Sequence, residues 1–190
     1  IAQPNANTTI INQTSSNVII NWQSFNLAQQ DLVRFNQPGS SSAALNRIVN
    51  GAPSQILGTI QSNGRVFLVN PSGIIFGHSS RVNVGSLFAT SLDIDNSDFM
   101  SGRYRFAAAN GLPGAIVNQG QIEAAIGGSV TLVGGAANNE GVITATLGHV
   151  NLGAGTQAVV DFAGDGLIHF AVSGEIAQKR SEEHTSELQS

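Results

Sequence analysis

Three short segments of this chain carry residue types that could do chemistry, and each departs from the pattern its chemistry requires. Asp93-Ile94-Asp95-Asn96-Ser97-Asp98 opens like a calcium loop, which needs a glycine at its sixth position and a bidentate glutamate at its twelfth. Asp98 and Tyr104 stand there instead, so a solvated corner fits better. Gly153-Ala154-Gly155-Thr156-Gln157-Ala158 meets the loose spacing of a dinucleotide-binding loop, with Glu175 about twenty residues further on. Val159 and Val160 nonetheless start a strand where a helix would have to receive the phosphates. His78, His149 and His169 are scattered, with no partner close in sequence for metal binding or acid-base catalysis. Cleavage of a polysaccharide would need carboxylates gathered on one face, and only Asp161, Asp165 and Glu175 come near that. The reading is therefore of a chain that is not an enzyme and holds no metal or cofactor.

The polar residues that remain sit at turns. In Asn63-Gly64-Arg65-Val66-Phe67-Leu68-Val69-Asn70-Pro71-Ser72-Gly73-Ile74-Ile75-Phe76-Gly77, two apolar strands alternate with two tight turns. Gly64 is placed to supply a positive φ. Pro71 fixes φ at the first corner of the second turn, leaving Gly73 free to take an unusual angle behind it. The Asn70 side chain is expected to hydrogen-bond its own backbone within that turn.

These turns punctuate a repeat. Asn118-Gln119-Gly120-Gln121-Ile122 returns as Asn139-Glu140-Gly141-Val142-Ile143, and Gly128-Ser129-Val130-Thr131-Leu132 returns as Gly148-His149-Val150-Asn151-Leu152. A period near twenty built from five-residue strands and Gly-Asn corners marks a solenoid. Val130 and Leu132, Val150 and Leu152, and Ile168, Phe170 and Val172 share one face, while Thr131, Asn151 and His169 take the other. The fold class is all-β, a parallel β-helix. Its coils stack about 4.8 Å apart around a narrow apolar interior, and asparagines such as Asn118 and Asn139 form a ladder at a corner. Val82–Val84 and Leu92–Ile94 read as early coils. Thr8–Asn12, Val18–Trp22 and Leu32–Phe35 are strands outside the repeat, so residues 1–60 are read as an N-terminal β cap and 61–179 as the coils. Trp22, Phe25 and Phe35 are expected in the core of that cap.

Charged residues make up only 11% of the 190, against roughly 25% in an ordinary soluble protein, so neutral polar groups must cover the surface. The net charge of −4 argues against a nucleic-acid or membrane-surface partner, and the absence of cysteine excludes disulfides and thiolate metal sites. Ile1 is not an initiator, so the chain is read as starting inside a longer precursor or after a processed leader. Residues 180–190, Arg180 to Ser190, break with everything before them and look like the translation of a sequencing adapter. They are excluded as non-native, with the natural gene continuing past Lys179.

In order, Ile11-Asn12-Gln13, Ile20-Asn21-Trp22-Gln23-Ser24-Phe25, Val33-Arg34-Phe35-Asn36-Gln37-Pro38, Ala44-Leu45-Asn46-Arg47-Ile48 and Val66-Phe67-Leu68-Val69-Asn70-Pro71-Ser72-Gly73-Ile74 resemble the amino-terminal secretion domain of two-partner secretion exoproteins, the filamentous haemagglutinin and high-molecular-weight adhesin group. The family's NPNG-I motif is met at Asn70, Pro71, Gly73 and Ile74, with Ser72 in place of the second asparagine. The NPNL motif of the haemagglutinin branch is missing, which puts the chain nearer the adhesin branch. The resemblance implies a right-handed parallel β-helix with an N-terminal β cap, acting as secretion signal and folding nucleus. It implies export through the periplasm of a Gram-negative bacterium to the cell surface or medium, by a TpsB-type outer-membrane transporter with periplasmic POTRA domains. Residues 70–74 would then be the transporter motif, and Asn12, Trp22, Phe25, Asn46 and Arg47 family positions in the cap. Arg47 could hold backbone carbonyls or a carboxylate there, or face the transporter, and the first is preferred. A host or surface receptor would engage the missing downstream region, and the domain itself would be a monomer. The alternative is a carbohydrate-binding or polysaccharide-cleaving β-helix protein.

Overall fold

A computed structural model describes residues 1–109 and 111–160, and the backbone of 168–171. The tail at 180–190, Val172 and the carboxylates of Asp161, Asp165 and Glu175 lie outside the described residues. The chain opens with β1 (Ala2–Asn5) and then winds through β2 (Thr8–Asn12) and β3 (Asn17–Trp22). The next turns are β4 (Leu32–Asn36), β5 (Ala43–Ile48) and β6 (Ser54–Ile56), then β7 (Thr59–Ser62), β8 (Arg65–Val69) and β9 (Ile74–Phe76). After β10 (Arg81–Val84) and β11 (Ser86–Thr90) the path leaves the stack for β12 (Asp93–Ile94), α1 (Asn96–Met100) and β13 (Tyr104–Ala107), and returns as β14 (Ala115–Asn118). It continues through β15 (Gln121–Ala124), β16 (Val130–Gly134), β17 (Ala136–Asn139), β18 (Val142–Ala145) and β19 (Val150–Ala154), followed among the described residues by β20 (Gln157–Val160) and β21 (Ile168–Ala171).

Three sheets wall the interior: β1-β2-β4-β7-β10-β15-β18, β19-β16-β11-β8-β5-β3 and β17-β14-β9-β6. Every pairing within them is parallel except β1 with β2, so this is a parallel β-helix. Alternation sets the faces. Val66 and Leu68 of β8, Val33 and Phe35 of β4, and Ile74 and Phe76 of β9 join one interior cluster, each burial contributing about 1.5–3 kcal/mol. The repeat holds in space, since Asn118 pairs with Asn139 and Val130 with Val150.

Several expectations need correction. The stack does not wait for residue 61: β2 pairs with β4 and β4 with β7 in parallel, and β3 with β5 and β5 with β8, so coils run from Thr8. The antiparallel strand β1 alone departs from coil geometry there, covering the first edge of its sheet. Leu92–Ile94 is not a coil, because β12 belongs to an antiparallel sheet, β12-β13-β20-β21, lying off the helix. This sheet changes the faces too. The outward residues Phe67 and Val69 of β8 and Phe88 of β11 join Phe99, Tyr104 and Phe106 in a second buried cluster. Phe88 and Phe106 stack with centroids 4.5 Å apart, Phe67 and Tyr104 at 5.0 Å, and Phe99 meets Phe67 edge-on at 5.3 Å. Such pairs add about 0.5–1.5 kcal/mol each beyond area burial. The uninterrupted apolar run Val66-Phe67-Leu68-Val69 is explained by a sheet covered on both sides.

Candidate functional site

The Asn70 turn sits at the corner between β8 and β9. Gly73 N–H donates to Asn70 O at 2.9 Å, closing the turn, and Ser72 N–H donates to Asn70 Oδ1 at 3.0 Å. The other end of the amide reaches the coil before it: Asn70 Nδ2 donates to Ala52 O and to Ser54 Oγ, both at 2.9 Å. Asn70 is 0% exposed, so its polar atoms are satisfied by protein alone. The Ser72 hydroxyl donates to Gly51 O at 2.8 Å. On the following coil, Gly114 N–H donates to Pro71 O at 2.9 Å. Gly73 takes φ +106, and a Cβ there would stand 2.6 Å from Ala115 O, so both backbone freedom and close approach require glycine. Ile74 is buried in the interior cluster, whereas Pro71 is exposed and Ser72 half-buried. The five motif residues thus lock three successive coils together, and only Pro71 with part of Ser72 reaches the surface.

Gly64 plays a different part from the one expected. Its φ is not positive, yet a Cβ would meet Gln37 Oε1 at 2.6 Å and the carbonyls of Gly39 and Ser42 at 2.8 Å. Contact with the preceding coil is what excludes a side chain.

The early family positions also bind coil to coil. Asn36 Nδ2 donates to Asn12 Oδ1 at 2.8 Å on the surface, and in another sheet a buried Asn118 makes the same kind of rung, Nδ2 donating to Asn139 Oδ1 at 2.7 Å. Trp22 Nε1 donates to Asn46 Oδ1 at 3.0 Å, and its ring packs edge-on against Phe25 at 5.4 Å. Asn46 is buried and returns its amide to Ala44 O and Phe67 O, both at 3.3 Å. Arg47 holds a carboxylate and a carbonyl, as preferred, but across to the off-helix segment and not within a cap. Its Nε lies 2.8 Å from Asp93 Oδ1, and its other nitrogens donate to Asn96 Oδ1 at 2.6 Å and to Ile94 O.

A buried ladder escaped the sequence reading. Gln37 Nε2 donates to Gln13 Oε1 at 3.0 Å, the Ser62 hydroxyl donates to Gln37 Oε1, and Gln13 Nε2 donates to Ser16 O at 3.0 Å. The dipeptide Asn12-Gln13 recurs as Asn36-Gln37, a signal that would have placed both on successive coils.

The acidic segment is dispersed. Asp93 faces Arg47, Asp98 lies 2.8 Å from Arg103, and Asp95 caps α1 by accepting from Ser97 N at 2.8 Å. The Ser97 hydroxyl and amide hold the Asp95 carboxyl below its ordinary range. Burial pushes the Tyr104 phenol up from 10.0, opposed by Arg65 nearby. Among the described residues no three His, Asp or Glu side chains are grouped to hold a metal.

The family model for the TPS secretion domain matches residues 1–187. A heme/hemopexin-binding protein of Haemophilus influenzae is 36% identical over 141 residues, covering 72% of this chain and 16% of that protein. Another protein of the same description and species is 37% identical over 106 residues, covering 56% of this chain and 11% of its own length. The crystal structure of the HMW1 secretion domain from Haemophilus influenzae matches with a TM-score of 0.85 at 35% identity, over 92% of this chain and 47% of that one. The chain spans less than half of each of these relatives.

Proposed function

The chain belongs to the TPS secretion domain family, and from that membership we propose that its Asn70–Ile74 corner is the segment its transporter reads, and that it is read before the coils close over it. A TPS secretion domain is the secretion-signal part of a large exoprotein exported by the two-partner route of Gram-negative bacteria, and it works with a TpsB outer-membrane transporter. The observation that carries the proposal is the burial of Asn70. In the folded domain a partner would meet only Pro71 and the edge of Ser72, while Asn70 spends its hydrogen bonds on Ala52, Ser54 and Ser72. In the unfolded chain the whole motif is accessible. Folding outside then hides the segment from the transporter and makes passage one-way, because the coils cannot reopen without losing the corner's hydrogen bonds.

In this reading the recognition elements are the transporter's periplasmic POTRA domains. The domain performs no catalysis, and the mature exoprotein ends in the medium or on the cell surface, with receptor binding in its downstream part. The residues Asn12, Trp22, Phe25, Asn46 and Arg47 serve folding, since each spends its contacts inside the domain. The test is binding to the isolated periplasmic domains of the partner transporter. A peptide spanning residues 61–80 is expected to bind, the same peptide with Asn70→Ala to bind weakly, and the folded domain to compete poorly. A folded domain that competes as well as the peptide would overturn the order of events proposed here.

A further inference from the structure

Two Asn-Gly dipeptides lie in the described residues, and their surroundings are opposite. Asn63 is held at both ends of its amide: Oδ1 accepts from Gln37 N at 2.8 Å and Nδ2 donates to Gln37 O at 2.8 Å. The following amide is held too, since Gly64 N–H donates to Ser62 Oγ at 3.0 Å. Asn50 and Gly51 are exposed at the corner between β5 and β6. Among the described residues neither the Asn50 side chain nor the Gly51 N–H has a hydrogen-bond partner, and a Cβ on Gly51 would meet nothing within 4 Å. The Asn110-Gly111 pair falls partly outside the described residues.

We propose that Asn50 is a site of spontaneous deamidation and isoaspartate formation in the folded domain, and that Asn63, of the same dipeptide, is protected. The step needs only water. Gly51 N, losing its proton to solvent, attacks Asn50 Cγ; the N–Cγ bond forms, the Cγ–Nδ2 bond breaks, and ammonia leaves with the proton it takes up. Water then opens the five-membered succinimide. Cleavage on the Cγ side gives aspartate, and cleavage on the backbone-carbonyl side gives isoaspartate, with the main chain running through Cγ. Glycine after the asparagine is what makes the attack accessible, because no Cβ shields its nitrogen. Asn63 cannot follow this course without first breaking two side-chain bonds and one backbone bond.

Position gives the modification a consequence. Gly51 O accepts from the Ser72 hydroxyl, and Ala52 O from Asn70 Nδ2, so the Asn50–Ala52 corner is the platform of the buried turn. An isoaspartyl link lengthens the main chain there by one methylene and adds a negative charge. The proposal stands whether or not a transporter reads the turn.

The test uses the full chain, aged in mildly alkaline buffer at physiological temperature and cleaved after arginine. Arg47 and Arg65 bracket a single peptide, Ile48 to Arg65, that carries both sites, so fragment masses report them side by side. Asn50 is expected to gain about one dalton at least about tenfold faster than Asn63, whose reaction must await local opening, and the two rates should converge in denaturant. Asn50→Gln and Gly51→Ala should each abolish the fast reaction, the latter without a packing penalty. A folded chain in which Asn50 stays intact, or in which Asn63 keeps pace with it, overturns the proposal.

Discussion

Replacing Asn70 by alanine removes a side chain that holds two coils at once. Three hydrogen bonds go: Nδ2 to Ala52 O, Nδ2 to Ser54 Oγ, and Ser72 N to Oδ1. A typical net contribution is about 1 kcal/mol per bond, and a buried acceptor left without a partner costs about as much again. Ser54 is itself buried and cannot turn to water, whereas Ser72 N lies nearer the surface. Together these give a loss of about 3 kcal/mol. With a urea slope of about 2 kcal/mol/M, the unfolding midpoint falls by about 1.5 M. The assay is urea unfolding of the purified chain followed by the sole tryptophan, Trp22, which sits in the first coil. Hydrogen exchange should show protection lost first where β6 pairs with β9, at Ser54 and Ile74. Asn70→Asp sharpens the test, because it keeps the acceptor for Ser72 N and sets a carboxylate oxygen against the Ala52 carbonyl. Such a group has its folded pKa raised, so the variant is least harmed in acid and loses stability as pH rises through that value. A loss below about 0.5 kcal/mol for Asn70→Ala, the size of an ordinary surface change, would refute the claim that the buried amide holds the corner.

Three further outcomes follow from the same geometry. Gly64→Ala should cost about 2 kcal/mol or more, since two of the three atoms its Cβ meets are backbone carbonyls, while Gly51→Ala should fall within about 0.5 kcal/mol of the parent; urea midpoints compare the two. Arg47→Ala should destabilise by about 1–2 kcal/mol, discounted because the Arg47 and Asp93 side chains are 14% and 35% exposed, and should speed exchange of the α1 amides more than those of β8. Tyr104, the sole tyrosine, has its folded pKa raised by burial. Its contribution is therefore complete below the unfolded value of 10.0 and is lost as pH rises through the folded one. Alkaline titration should show tyrosinate absorbance appearing together with unfolding, and Tyr104→Phe should remove that coupling.

The solenoid was legible where coils are short and regular. Asn118 and Asn139, or Val130 and Val150, pair as their spacing of 21 and 20 residues predicts, because the corners between them have nearly equal length. Earlier coils obey the same register at unequal spacing: Thr8 pairs with Leu32 and Leu32 with Thr59, since loops such as that around Asn50 swell individual turns. A fixed period therefore lost strands that stack in space, although the repeated Asn-Gln dipeptide marked them. The off-helix sheet was hidden for another reason. Its closure depends on Tyr104 meeting Val160 far along the chain, and only the unbroken apolar run at Val66–Val69 hints that something covers the outer face. At the candidate site the turn itself could be read from Asn70, Pro71 and Gly73. The burial of Asn70 could not, because it depends on Ala52 and Ser54 of the preceding coil, and turn asparagines are ordinarily solvated.

Export bears most directly on the central claim. The chain, fused ahead of a reporter and produced in Gram-negative cells with its partner TpsB transporter, should deliver the reporter outside the cell. Delivery should require the transporter, and the Asn70→Ala chain should leave the reporter in the periplasm. A reporter that stays periplasmic behind the unaltered chain, while the same transporter exports its own exoprotein, would contradict the account.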